Sequence, residues 1–384
     1  MTLNAIARLA SAALLTMCLG TVAHAAATPR APLSLCVDDN CTPVSVMNGQ
    51  LKWHPGHYMM IRSRNRNPTV ELPQIDAVKN EAAIKGVLVT WKWSDLEKSK
   101  GVYDFSSIDQ YLNRVKGVSK RLVIHIYDRG WGAPTMKTAP DYLHTDSVYN
   151  GGEVAMSGGT VSRVWEQPVM DRLIALYEAL GKRYDSDPNV EGIQFSETSI
   201  GFNTTYPAPS TYSNGAYLAQ LKRMTLASRN AWPHTNVFMT TNYLGSDSQM
   251  EDLIKYCVDH QVILGGPDTW SREWVLSRQR ALQADEIMRG ERGSGTDYRK
   301  HAAIKAEIQT TELGGYIATF TPTQLYDTAY NINQSQYIFW DRNDYAGGSE
   351  QKWDTGILPL IRSINGKSYV TCPASFGSTG CSTK

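Results

Sequence analysis

Short apolar runs recur along the chain, each closing on polar residues, and segments with helical spacing separate them. The runs are HYMMIRS (57–63), GVLVTWKW (86–93), RLVIHIYD (121–128) and VEGIQFSE (190–197), then NVFMTTNY (236–243), QVILGGPD (261–268), AAIKAEIQ (302–309) and QYIFWDRN (336–343). They favour β-branched and aromatic residues and mostly lack strict apolar–polar alternation, the pattern of strands covered on both faces. Between them, Ile108, Tyr111, Leu112 and Val115 fall at helical intervals, as do Val169, Leu173, Leu176, Tyr177 and Leu180. Ser246 caps a helix predicted over 246–260. Thr321 and Gln324 form a capping box around Pro322 at the first helical position.

Strands alternating with helices imply a parallel sheet joined by right-handed crossovers. Eight such units predict an α/β protein of the (β/α)8 TIM-barrel class over 57–365. An open doubly wound sheet is the other arrangement, but no G-x-G-x-x-G follows the first run. Residues 26–56 read as an N-terminal extension or hairpin and 366–384 as a C-terminal tail. Long loops follow the third and sixth runs, on the strand ends where barrels carry their active sites.

The first 25 residues carry Arg8, an apolar run and Ala23-His24-Ala25, the order of a signal peptide with a small-x-small cleavage site. The expected location is therefore secreted or periplasmic. Removing Arg8 leaves 37 basic residues beside 37 acidic ones, a net charge of zero. That balance argues against nucleic acid or an anionic membrane as partner. An oxidising compartment suits two short disulfides, Cys36 with Cys41 and Cys372 with Cys381, while Cys257 lies on an apolar helical face as a buried thiol. No CxxC or HExxH spacing calls for a metal, no cofactor is expected, and the protein is expected to act as a monomer.

Polar or aromatic residues end the runs: Arg62, Trp93, His125 with Asp128, Glu197, Asn242, Asp268, Glu307, and Trp340 with Asp341. Any one alone is an ordinary strand terminus; such an ending on each strand is what a barrel mouth needs. Glu197 and Glu307 would stand on the fourth and seventh strands. Two carboxyls about 5 Å apart are the equipment of a retaining glycosidase, one protonated to release the leaving group and one ionised to attack the anomeric carbon. Glu312 is a rival for Glu307. An inverting pair, Glu197 as acid and Asp268 as base, would sit roughly 6.5–9.5 Å apart. The chain holds 10 Trp and 20 Tyr, and Trp131 and Trp270 fall beyond strand ends, where flat rings can pack against a sugar. A barrel that binds carbohydrate in the cell envelope without cleaving it fits the same residues. A polysaccharide lyase built on Arg62, His125 and Tyr127 is a third reading.

TWKWSDLEKSKGVYDFSSIDQYL (90–112) resembles the segment after the second strand in clan A glycoside hydrolases. GKRYDSDPNVEGIQFSE (181–197) is similar to the segment leading to that clan's acid/base glutamate, and YIFWD (337–341) resembles its eighth-strand tryptophan. The resemblance covers the spine of 57–361. It implies a hydrolase of β-linked poly- or oligosaccharides with Glu197 as acid/base and Glu307 as nucleophile. It further implies Trp340 as the floor beside the cleaved bond, and His125, Asn242 and Asp268 as ligands of sugar hydroxyls. In one respect the chain departs from the clan: Ser196 stands where an asparagine usually precedes the acid/base.

Overall fold

Each of the eight apolar runs forms a strand, because its buried side chains find an apolar partner on both faces. The computed structural model describes residues 50–63, 66–131, 137–279, 282–314, 319–344, 347–377 and 380–383. The strands are β1 (Gly56–Ile61), β2 (Ile84–Lys92), β3 (Arg121–Tyr127), β4 (Val190–Gln194), β5 (Asn236–Thr240), β6 (Ile263–Gly265), β7 (Lys305–Ile308) and β8 (Tyr337–Asp341). They are hydrogen-bonded in the order β6-β5-β4-β3-β2-β1-β8-β7, all parallel. A parallel bridge between Leu264 and Ile304 joins the two ends, with the Leu264 N–H donating to the Ala303 carbonyl at 3.0 Å. The sheet is thus a closed (β/α)8 barrel. Helices follow in turn: α1 (Pro68–Ala77), α2 (Ser106–Gly117), α3 (Gln167–Tyr184), α4 (Asn214–Ala231), α5 (Asp247–Asp259), α6 (Gln283–Met288), α7 (Pro322–Asp327) and α8 (Leu358–Ser363). Both expected caps form: the Ser246 hydroxyl accepts from the Gln249 N–H at 3.3 Å, and that of Thr321 from the Gln324 N–H at 3.2 Å.

Side-chain alternation splits the core in two. Tyr58, Met60, Leu88, Val123, Phe238, Ile263, Tyr337 and Phe339 fill the ring from within. Their neighbours of opposite parity, among them Met59, Val87, Ile124, Ile193, Met239, Ile338 and Trp340, pack outward beneath the helices. Gly192 faces inward, and a Cβ there would lie 2.2 Å from the Phe238 ring, so glycine leaves room for an aromatic centre.

The long loop after β3 contains structure that its polar sequence concealed. Arg129–Trp131, Glu153–Met156 and Gly159–Ser162 form an antiparallel sheet. A smaller hairpin, Glu97–Ser99 with Val102–Tyr103, follows β2. At the opposite end of the barrel, Leu51–Lys52 pairs in parallel with Cys381–Ser382, and a disulfide ties Cys372 to Cys381. Leu51, Trp53 and Phe376 close that end of the ring's inner core. Cys257 is buried and free. The segment 1–25, the Cys36–Cys41 pair and most of the N-terminal extension lie outside the described residues. No helix among the described residues is long and apolar enough to cross a membrane.

Lys52 locks this end. Its buried ammonium donates to the carbonyls of Asp185 at 2.8 Å, Asp187 at 2.6 Å and Val190 at 2.9 Å, and to the Thr235 hydroxyl at 2.7 Å. Burial pulls the amine down to about 8, with Asp185 and Glu191 resisting. Substituting methionine strands these acceptors in a buried site. Lys52→Met is expected to lower unfolding free energy by roughly 2–4 kcal/mol, the cost of several unmade buried hydrogen bonds. Urea denaturation of the two proteins measures it.

Candidate active site

The alternation that fills the lower ring with apolar side chains brings polar ones to its upper, C-terminal end. On β7, Lys305 and Glu307 share a parity and face inward, 1% and 2% exposed. Glu307 Oε1 accepts from the Gln194 amide of β4 at 2.8 Å and from the Lys305 ammonium. Among the described residues Glu307 Oε2 takes no hydrogen bond. His125, inward on β3, places Nδ1 3.4 Å from Gln194 Nε2. Burial, then the charges of Arg62 and Lys305, push its pKa far below the ordinary histidine value, so the imidazole is neutral.

Glu197 lies just past β4, on backbone that stays tied to β5. The Phe195 and Thr198 N–H groups each donate to β5 carbonyls, those of Phe238 and Thr240, at 3.0 Å. Ser196 is spent on local structure, donating to the Ile126 carbonyl at 3.0 Å and accepting from the Asp128 N–H at 3.2 Å. The polar partner of Glu197 comes from the next strand instead: Asn242 Nδ2 donates to Oε2 at 2.6 Å. Glu197 is flanked deeply by protein yet keeps one side open to solvent. Burial raises its pKa above the carboxylate norm and the charge of Glu307 adds to the rise, while Asn242, Arg129 and Arg62 oppose it.

Asp268, past β6, completes a set of three carboxyls. It is pushed up to about 7 by burial, with Glu197 and Glu307 reinforcing the shift and Arg62 opposing it. Arg62, past β1, donates from Nε to the Tyr127 hydroxyl at 3.0 Å. Burial works against its charge, but Tyr127, Asp341 and Glu307 outweigh that and hold it above the usual arginine range. Asp341 at the end of β8 accepts from the Thr310 N–H at 3.2 Å and hydroxyl at 2.9 Å.

Other expected site residues sit elsewhere. Asp128 is 4% exposed and committed to Arg129, whose Nε and Nη2 each reach it at 3.0 Å. Trp340 has the opposite parity to Phe339 and Asp341, so it points away from the mouth. It is fully buried under the helices, and its indole N–H donates to His57 Nδ1 at 2.9 Å. Trp93 is equally buried in that outer layer, donating to Glu97 Oε2 at 2.8 Å. Neither ring can lie against a bound sugar without repacking. Trp131 is 36% exposed and lies over Gly201, and Trp270 is half-buried edge-on to Trp274 at 5.5 Å. Glu312 is fully buried, with both oxygens engaged by the N–H groups of Gln309 and Thr269. It is a loop clamp and not an open carboxylate. Lys305 and Gln194 were missed in the sequence, although both are polar residues of inward parity. Among the described residues no group of three His, Cys, Asp or Glu is arranged to hold a metal ion.

No protein-family model matches this sequence, and no curated protein does. Solved structures match its fold. The catalytic domain of β-amylase from Paenibacillus polymyxa superposes with a TM-score of 0.54 at 12% identity, over 83% of this chain and 99% of that one. The β-galactosidase of Bacillus circulans sp. alkalophilus gives 0.54 at 13% identity, over 82% of this chain and 55% of the other. Endo-glycoceramidase II from Rhodococcus sp. gives 0.53 at 13%, over 82% and 80%. All three are glycoside hydrolases, and what this chain shares with them at such identities is the TIM-barrel fold.

The raised Asp268 has a consequence for stability. Its folded value of about 7 exceeds the ordinary 3.8, so the native state holds the proton more tightly than the unfolded chain. Stability from this group is full below the ordinary value and declines as pH rises towards the folded one. Wild type should therefore lose stability relative to Asp268→Asn between about pH 3.8 and 7, with a constant difference outside that window. Denaturant titrations across the range provide the check.

Proposed function

We propose that the protein is a secreted glycoside hydrolase that cleaves β-linked poly- or oligosaccharides with retention of configuration, Glu197 acting as acid/base and Glu307 as nucleophile. One observation carries the reading: Glu197 stands just past β4, the strand whose Gln194 reaches across the ring to hydrogen-bond Glu307 of β7 at 2.8 Å, so the two carboxyls stand at one end of the ring. The raised Glu197 keeps a proton for the leaving oxygen. Glu307, ion-paired with Lys305, carries the charge that attack requires. Its Oε2 bonds to the anomeric carbon as the glycosidic bond breaks, and Glu197 then takes a proton from the water that hydrolyses the ester. Arg62, His125, Asn242 and Asp268 line the mouth as ligands for hydroxyls, and Trp131 and Trp270 offer aromatic surfaces on the loops beyond the strand ends. The glycosidases that share this fold support the same class of chemistry by analogy.

A panel of soluble glycans is the direct test. Wild type is expected to release reducing ends from a β-linked member. Glu197→Gln and Glu307→Gln should each lose at least about a thousandfold in kcat while remaining folded. Binding without cleavage would instead identify a carbohydrate-binding barrel.

Inversion with Asp268 as base is the second reading. Asp268 is more open than Glu307 and takes no hydrogen bond among the described residues. Proton NMR of the first-formed product separates the two: retention yields the β-anomer, inversion the α-anomer.

A further inference from the structure

A lysine inside a strand ring needs a reason. An ammonium removed from water is costly unless an opposite charge meets it. The side chain of Lys305 is wholly buried, and its hydrogen bond among the described residues goes to Glu307 Oε1, the same oxygen that takes the Gln194 amide. Space for the stem is made by Gly265 on the adjacent β6. A Cβ at that position would stand 2.7 Å from Lys305 Cγ and 1.9 Å from its carbonyl oxygen. Packing alone does not explain an amine here, since the neighbouring inward residues, Ala303 just before β7 and Phe339 on β8, are apolar. The other charged or titratable groups facing the pair are Arg62, His125, Glu197, Asp268, Asp285 of α6, and Asp341. With His125 neutral, Lys305 and Arg62 are the cations that act on Glu307. Arg62 is hydrogen-bonded to Tyr127, whereas Lys305 touches the carboxylate directly.

We propose that Lys305 is a positioning residue for the nucleophile, holding Glu307 ionised through Oε1 and leaving Oε2 to face the substrate. The proposal rests on the glycosidase reading. Attack by Oε2 forms the bond to the anomeric carbon, the glycosidic C–O bond breaks, and the departing oxygen takes the Glu197 proton. The carboxylate charge is then consumed, and Lys305 faces a neutral ester. Hydrolysis by water restores the carboxylate to its ammonium, so the pair favours release of the glycosyl group as well as readiness for attack.

The test uses four proteins: wild type, Lys305→Met, Glu307→Gln and the double variant. On a glycan that wild type cleaves, Lys305→Met should move the acid limb of the kcat/KM profile to higher pH by about one unit or more. The alkaline limb, governed by Glu197, should stay in place. A purely structural lysine would lower thermal stability and leave the acid limb where it was. In the stability cycle, the two single substitutions should be non-additive, because each strands the charge of the other. An unmoved acid limb together with additive stabilities overturns the proposal. If Lys305→Met alone fails to fold, folding of the double variant identifies the stranded carboxylate as the cause. Failure of both assigns Lys305 to packing and also overturns it. Should wild type cleave no glycan, the glycosidase reading falls and takes the catalytic role of Lys305 with it. Additive stabilities in an active enzyme would sink the pairing alone.

Discussion

Side chains on a strand alternate between the inside and the outside of the ring, and in this barrel the alternation also sorts apolar from ionisable groups along the strand axis. On β8, Tyr337 and Phe339 face inward in the apolar centre, and the next inward position is Asp341. At β7, Ala303 just before the strand is followed inward by Lys305 and then Glu307. On β3, Val123 gives way to His125. These three strands thus each contribute an oily lower position and a polar upper one. The upper positions form a layer of carboxyls, an imidazole, an amide and two cations, in which every charge perturbs its neighbours.

Such a layer is unstable unless its members pair. Glu307 is met by Lys305 and Gln194, Glu197 by Asn242, and Asp341 by Thr310. Asp268 is the one of these carboxyls without such a hydrogen-bonding partner among the described residues, and burial, reinforced by the charges of Glu197 and Glu307, raises its affinity for a proton. Two glycines make the arrangement possible from opposite ends. Gly192 gives up volume to Phe238 in the apolar centre, and Gly265 gives it up to Lys305 at the seam where β6 meets β7.

Much of this was legible in the residues. Buried parallel strands announce themselves as continuous apolar runs, so all eight were visible, and the capped helices α5 and α7 were visible through Ser246 and Thr321. The antiparallel sheet within 129–162 was not. Its strands are short and polar, and they pair across loops whose sequence carries no period. Among the candidate site residues, Glu197, Asn242 and Asp268 stood out because each follows an apolar run, and Glu307 because a carboxylate interrupts one. Trp93 and Trp340 were misplaced because position near a strand end does not fix facing. Parity does, and Trp340 between the inward Phe339 and Asp341 must turn outward. Applied to IKAEIQ, the same parity rule would have exposed Lys305 beside Glu307.

The segment at Leu51–Lys52 and the one at Cys381–Ser382 run side by side beneath the barrel, on the side away from the carboxyl layer. The first and last described strands therefore share one small clasp. A short peptide joining Ser382 to Leu51 would close the barrel segment itself into a circle, and new ends could be cut in an outer connection without disturbing the order of the staves. Cargo attached at that clasp would hang from the floor of the vessel and leave its rim open.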